Sequence, residues 1–437
     1  MTLRVVIVGG GASGTLLAAQ VLRKANSPIH VTVVEPRERL GEGVAFSTDF
    51  PGHLLNVRAK ALSGLVEFPD DFVKWAGIDR DAFAPRALYA KYLRHVLDDA
   101  RGAAANEVKF DHVQAAVASI SSPDVGDGKG HEIRCLNGQV LESDLVVLAT
   151  GNGPPYVPQW FSPEVRGHDR FIADPWAPDS LSRIRNGTVV TIGTGLTFID
   201  VAVRVLENSP TNIIGISRHG LLPTRHTHVE HPPSVPGMST PREVLHWLRQ
   251  NRSNWRAAIN GLRTRTQDLW MNFSPAQQRQ FLRHAMRYWE IHRHRIATEV
   301  GIQIDGYLEL ERIQVVKSGV TGVTVVSPSS LTILTSTGIA ITADWVVLCT
   351  SPTEVGEGTR SIISFLIDNG QAVVGPQGLG LQCNPRSGAL IDSLGNLSTT
   401  IFTIGPLRRG MLWETTAIPE IHVQADQLGE LISMPRT

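Results

Sequence analysis

Cysteine is scarce: Cys135, Cys349 and Cys383 are the only three in 437 residues. An odd count at wide spacing excludes a disulfide framework, and without a Cys-x-x-Cys there is no local dithiol relay or zinc-ribbon signature. Excess charge of one sign is also lacking. Forty-one Lys and Arg balance forty-one Asp and Glu, which removes the global electrostatic case for nucleic acid or an anionic membrane as partner. No apolar run reaches the roughly 18–20 residues of a spanning helix. The chain passes from Met1 almost directly into an apolar strand, without the basic and apolar regions of a signal peptide. A reducing cytoplasm is the expected compartment.

What is present is glycine, forty residues of it, in a chain that is 42% hydrophobic and 19% charged. That composition suits a globular protein with two or three domains. "LRVVIVG" is the continuous apolar run of a parallel strand covered on both faces. "TLLAAQVLRKA" has helical period and "IHVTVVEP" reads as the next strand. Residues 81–101 predict an amphipathic helix with Leu88, Tyr92, Leu93 and Val96 on one face. Asn137-Gly138 predicts a tight hairpin ahead of a buried strand that ends at Gly151. "GNGPPYVPQW" reads as a linker, and residues 187–217 then repeat the strand, glycine turn, helix, strand order.

Residues 240–300 read as helical and tryptophan-rich, strands are expected over 307–350, and a final helix from Pro419. This order predicts an α/β protein of two Rossmann-like dinucleotide-binding domains, the second inserted in the first. The expected FAD domain is 1–160 with 351–437, and the expected NAD(P)H domain is 161–350 including a helical insert at 240–300.

Gly9-Gly10-Gly11-Ala12-Ser13-Gly14 fits G-x-G-x-x-G between a strand and a helix. The first glycine allows the turn, the second lets a pyrophosphate approach, and the third lets helix and strand pack closely. Glu35 ends the following strand, where a carboxylate binds ribose hydroxyls. The second copy keeps Gly193 and Gly195, followed by Leu196 and Thr197, but has Phe198 in the third place. Phe198 predicts a helix that stands off its strand or tilts. Arg218 follows the next strand, an arrangement that tolerates the 2′-phosphate of NADPH where an acid would repel it.

On these residues, and on "GEGVAFST", "HLLNV", "VVLATGN", "DPW", "SRHGLLP", "HRHRIA" and "IGPLRRGMLWETTAIPEI", the chain resembles a family of FAD/NAD(P)-binding flavoproteins. They have two dinucleotide domains and are related to class B flavin monooxygenases; a urate-hydroxylase-like branch belongs to this broad group. The resemblance spans nearly the whole chain and is specific for the scaffold, not the substrate. It implies FAD at Gly9, Gly11, Ser13, Gly14 and Glu35, with Asn56 beside the flavin ring and Thr150 and Gly151 closing over the cofactor. Gly405 and Pro406 would end the last strand. The helix from Ile418 would aim its positive end at the flavin pyrimidine and stabilise negative charge there. NADPH would use Gly193, Gly195, Leu196, Thr197 and Arg218. The chain departs from the family at Arg58-Ala59-Lys60 and at Thr298, where proline is common. If Arg58 and Lys60 line the flavin cleft, they favour an anionic substrate.

With no close cysteine pair to receive electrons, dioxygen is the expected acceptor. The implied activity is NADPH-dependent hydroxylation of a small polar, nitrogen-containing molecule through a peroxyflavin. Substrate candidates are Arg58 and, from the insert, Trp289, Arg293 and His294, with His292 and Arg295 beside them, set against the plainer reading of an apolar helix face burying Phe281, Leu282, Met286 and Trp289 and a solvated basic face. "ADPWAP" (173–178) reads as a hinge, a cofactor contact or a plain linker. His226, His228 and His231 with Glu230 lack zinc-family spacing, so no metal is expected and the segment reads as a loop near the NADPH adenine. Two alternatives stay open: a reductase passing electrons to a protein or quinone, and a non-catalytic flavin-binding protein.

Overall fold

The computed structural model describes residues 2–121, 130–207, 209, 211–227, 231–352, 355 and 361–434. Two mainly parallel sheets organise them. The first runs Ala389–Ile391, Leu397–Thr403, Leu145–Leu148, Leu3–Val8, Ile29–Val34, Val108–Val113. The second runs Ile313–Lys317, Thr211–Ser217, Gly187–Ile192, Trp345–Leu348, Phe171–Ile172. The chain leaves the first sheet after Leu148, builds the second, and returns at Ala389, so the second unit is inserted in the first. Each unit also carries a three-stranded antiparallel satellite.

Burial on both faces explains the continuous apolar strands: Val5, Ile7, Leu145 and Val147 are fully buried in the first unit, Val189, Val190, Val346 and Val347 in the second. Helices Ala12–Lys24, Arg86–Ala103 and Ile418–Ser433 cover one face of the first sheet. Tyr92, Leu93 and Val96 are buried and Leu88 packs beside them. The Asn137-Gly138 hairpin joins His131–Cys135 to Val140–Ser143, with Gly138 at φ +85°.

One expected boundary moves. Strands were expected from residue 307, but helix Thr298–Glu309 continues past it. Val300, Ile304, Tyr307 and Leu308 pack on the second core at helical spacing, and the strand starts only at Ile313. Thr298 occupies the first helical turn, where proline is favoured, and its hydroxyl donates to His226 O at 3.0 Å.

The insert is five helices, Pro241–Gln250, Trp255–Arg263, Thr266–Asn272, Pro275–His284 and Met286–Arg293. Two begin with proline behind capping boxes, Thr240 with Glu243 and Ser274 with Gln277. Its apolar side buries Trp247, Leu262 and Trp270 against Trp413, with Phe281, Leu282, Met286 and Trp289 packed around them. Those four side chains are half-buried, packed against this cluster. Trp270 Nε1 donates to Gly410 O at 2.8 Å, which fixes the insert on the C-terminal segment of the first unit. No helix among the described residues is long and apolar enough to cross a membrane.

Candidate cofactor and substrate site

The first glycine turn is closed by steric need at Gly9 and Gly14. Gly9 has φ +105°, and a Cβ there would lie 2.5 Å from Ala149 O and 3.1 Å from Thr150 Cα. A Cβ on Gly14 would collide with Gly9 O. Gly11 is different: a Cβ there would meet only Gly43, at 3.5 Å, so space lies open against the backbone. Glu35 is buried; its Oε2 accepts the Gly10 amide at 2.8 Å and its Oε1 the Arg37 amide at 3.1 Å. Gly41 and Gly43, from "GEGVAFST", lie over the turn, with Gly41 N donating to Gly10 O at 2.8 Å.

Across the turn stands Gly405, φ +77°, where a Cβ would be 2.6 Å from Ser13 Oγ. Its amide donates to Gln424 Oε1 at 3.0 Å, Gln424 Nε2 donates to Thr415 Oγ1 at 2.7 Å, and Thr415 donates to Gly405 O at 2.9 Å. This ring of three bonds ties Gly405 and Pro406 to the start of helix Ile418–Ser433. Trp413, just before it, holds φ +62°, a strained value for a non-glycine residue. Gly9, Gly11, Ser13, Gly14, Glu35, Thr150 and Gly405 are thus brought together, and Gly151, at φ +72°, follows Thr150. Asn56 stands at the junction with the second unit, where its carbonyl accepts from His226 Nε2 at 3.0 Å.

The second turn repeats the backbone with different side chains. Gly193 has φ +109°, and a Cβ there would collide with Cys349 O. Strand register pairs Ile192 with Ile216 as it pairs Val8 with Val34, so Ser217, not Arg218, is the counterpart of Glu35. Ser217 Oγ bonds Thr194 Oγ1 at 2.7 Å. Arg218 follows, exposed and without a hydrogen bond or ion pair among the described residues. Phe198 is fully buried beneath its helix. It lies against Gly215, where a Cβ would come within 2.9 Å of the ring.

Sequence reasoning missed Arg287. From the last insert helix its Nη2 donates to Thr194 O at 3.1 Å and Leu221 O at 2.8 Å, and Nη1 lies 3.8 Å from where a Gly195 Cβ would stand. Burial pushes its pKa down. A cation at the mouth of a glycine turn matches a bound phosphate, but no local pattern announced it, because the contact spans the insert.

The other candidates fall into two groups. Trp289 Nε1 and Arg293 Nη2 both donate to Glu414, each at 3.1 Å. Arg58 lies over Phe83, 5.0 Å from its ring centre, and reaches Thr227 O at 3.4 Å. Lys60 pairs with Asp81 at 2.7 Å in solvent. His294 follows Arg293; burial and the Arg293 charge push its pKa down to about 3. "ADPWAP" sits at the unit junction: Trp176 is 5.7 Å from His53 and 5.5 Å from Arg86, which bonds both Asp200 oxygens at 3.0 and 2.8 Å. His226 faces Asn56 and Phe83; His228 and Glu230 lie outside the described residues. No group of three or more His, Cys, Asp or Glu among the described residues could hold a metal. All three cysteines are buried and free, and burial raises the pKa of each.

Two glycine turns, each joining a parallel strand to a helix, with one unit nested in the other, define the fold class of the two-domain FAD- and NAD(P)H-binding flavoproteins. Residues 6–153 match the family model described as FAD-NAD(P)-binding. Among solved structures, L-lysine 6-monooxygenase from Pseudomonas syringae is similar at 14% identity and TM-score 0.66, over 98% of both chains. Ornithine hydroxylase from Pseudomonas aeruginosa is similar at 14% and 0.65, over 99% of both. Bacillithiol disulfide reductase from Bacillus cereus is similar at 16% and 0.59, over 99% of both. No curated sequence matches the chain.

Proposed function

We propose that this chain is an NADPH-dependent FAD monooxygenase that hydroxylates a small polar, nitrogen-containing molecule. The observation that carries the reading is the pair of dissimilar glycine turns: one backed by the Glu35 carboxylate, the other by Ser217 with Arg218 and Arg287 beside it. An acid suits ribose hydroxyls, and two guanidinium groups suit phosphates. Gly9, Gly11, Ser13, Gly14 and Glu35 would hold FAD, with Thr150, Gly151, Gly405, Pro406 and Ile418 around it and Asn56 toward the second unit. Gly193, Gly195, Leu196, Thr197, Arg218 and Arg287 would hold NADPH. Bound FAD supplies a hydride acceptor and, once reduced, an oxygen-reactive centre. The likeness to lysine and ornithine hydroxylating enzymes supports a nitrogen-containing substrate.

The second reading, a reductase serving a protein or quinone, draws on the likeness to a disulfide reductase. Three buried, unpaired thiols give no support to dithiol exchange. The deciding assay supplies NADPH and air to the FAD-loaded protein with a panel of amines, amino acids and purines. A hydroxylated product formed in step with oxygen uptake is expected. Hydrogen peroxide alone across the panel, or full anaerobic turnover with a quinone, overturns the proposal.

A further inference from the structure

The insert and the segment around Asn56 gather more positive charge than their own carboxylates neutralise. Arg295 is 3% exposed. Its Nη2 donates to Asn260 Oδ1, while Nε and Nη1 are buried without a partner. Backbone pairing sets it beside the first unit: His226 N donates to Ile296 O at 2.9 Å, His226 Nε2 to Asn56 O at 3.0 Å, and Arg58 Nη2 to Thr227 O at 3.4 Å. Arg256 stacks 4.3 Å from the Trp255 ring, with its Nε also buried and unpaired.

Each nearby acid already faces a cation of its own, and Glu420 keeps its Oε2 buried without a partner. Glu414 takes Arg293 at 3.1 Å, Glu420 takes Arg263 at 3.0 Å, and Asp81 takes Lys60 at 2.7 Å with Arg58 at 3.7 Å. Neither Arg295 nor Arg256 has a carboxylate. Burial, then the charges of Arg293, Arg256, Arg58 and Arg263, push the Arg295 pKa down to about 10, so the guanidinium is still charged at neutral pH. A buried cation with unused N–H donors is costly unless an acceptor arrives. Neutral His226 cannot supply one from Nε2, which already donates to Asn56 O.

We propose that Arg295 and Arg256, with Arg58 at the edge, form an oxyanion subsite between the Asn56 segment and the helical insert, and that the substrate carries a carboxylate or phosphate that docks there. The identity of the occupant as substrate rests on the monooxygenase reading; the existence of the subsite does not.

Calorimetric titration of the FAD-loaded protein with benzoate and, separately, with inorganic phosphate tests this without turnover. One of the two anions is expected to bind once per chain, which also says whether the group is a carboxylate or a phosphate. Arg295→Met should weaken it by at least about tenfold, the scale of a lost charge-assisted hydrogen bond, and Arg295→Lys should recover part. NADPH affinity should stay unchanged. Failure of both anions to bind, indifference to Arg295→Met, or a parallel loss of NADPH affinity overturns the subsite. Arg256→Gln, on a half-buried side chain, carries the same comparison should Arg295→Met lose its flavin. A failed product assay with intact anion binding would defeat only the monooxygenase reading, and the reverse result only the subsite.

Discussion

In the first glycine turn Gly14 has no side chain, and the facing strands keep Ile7 and Val33. In the second, Phe198 fills the place of Gly14, and the register-equivalent positions are Thr191 and Gly215. The ring is accommodated because side-chain volume has been removed from the strands beneath it. What the two turns share is a filled space between helix and sheet, not a residue in a given slot. Phe198 is therefore a repacked core residue, and it gives no evidence of a disabled turn.

The largest effects expected from breaking this correspondence are at Phe198 and, opposite it, at Gly215. Gly215→Val restores the first-unit residue opposite Phe198, and overpacking should cost about 1–3 kcal/mol or more. Phe198→Ala should cost about 3–5 kcal/mol through the cavity it leaves. The double variant should be less destabilised than the sum, and denaturant melts that show simple additivity would separate the two sites.

Acid should come next. Burial and the Arg295 charge push His226 from 6.5 down to about 4, so it is neutral in the folded protein. Its contribution is intact above about pH 6.5 and is lost as pH falls toward 4, because only the unfolded chain takes up the proton. His226→Gln should flatten that limb by up to about 3 kcal/mol, read as stability against pH.

Smaller effects test the phosphate side. Arg287→Ala should raise the NADPH Kd by about tenfold, the scale of a charge-assisted bond, with FAD content unchanged. Arg218→Ala should lower affinity for NADPH but not NADH, by up to about tenfold for an exposed contact. Equal loss for both nucleotides would remove Arg218 from the 2′-phosphate.

Much of the fold was legible because it rests on local rules. Continuous apolar strands, glycine at forced turns and the Asn-Gly hairpin each carry their reason within a few residues. The strand expected at 307 failed because "GIQIDGYL" offers apolar residues at both periods, and packing on the second core chose the helix. The first turn was legible at Gly14 and Glu35, whose contacts with Gly9 and Gly10 lie within one strand, turn, helix, strand run. The site was hidden at Arg287 and Gly215, whose meaning depends on what the chain places opposite them.

The bond from Trp270 to Gly410 and that from Arg287 to Thr194 anchor one set of helices to both halves of the molecule. Such a splint sets the separation of the two turns. Rocking one half against the other would have to strip either the indole from Gly410 O or the guanidinium from Thr194 O and Leu221 O.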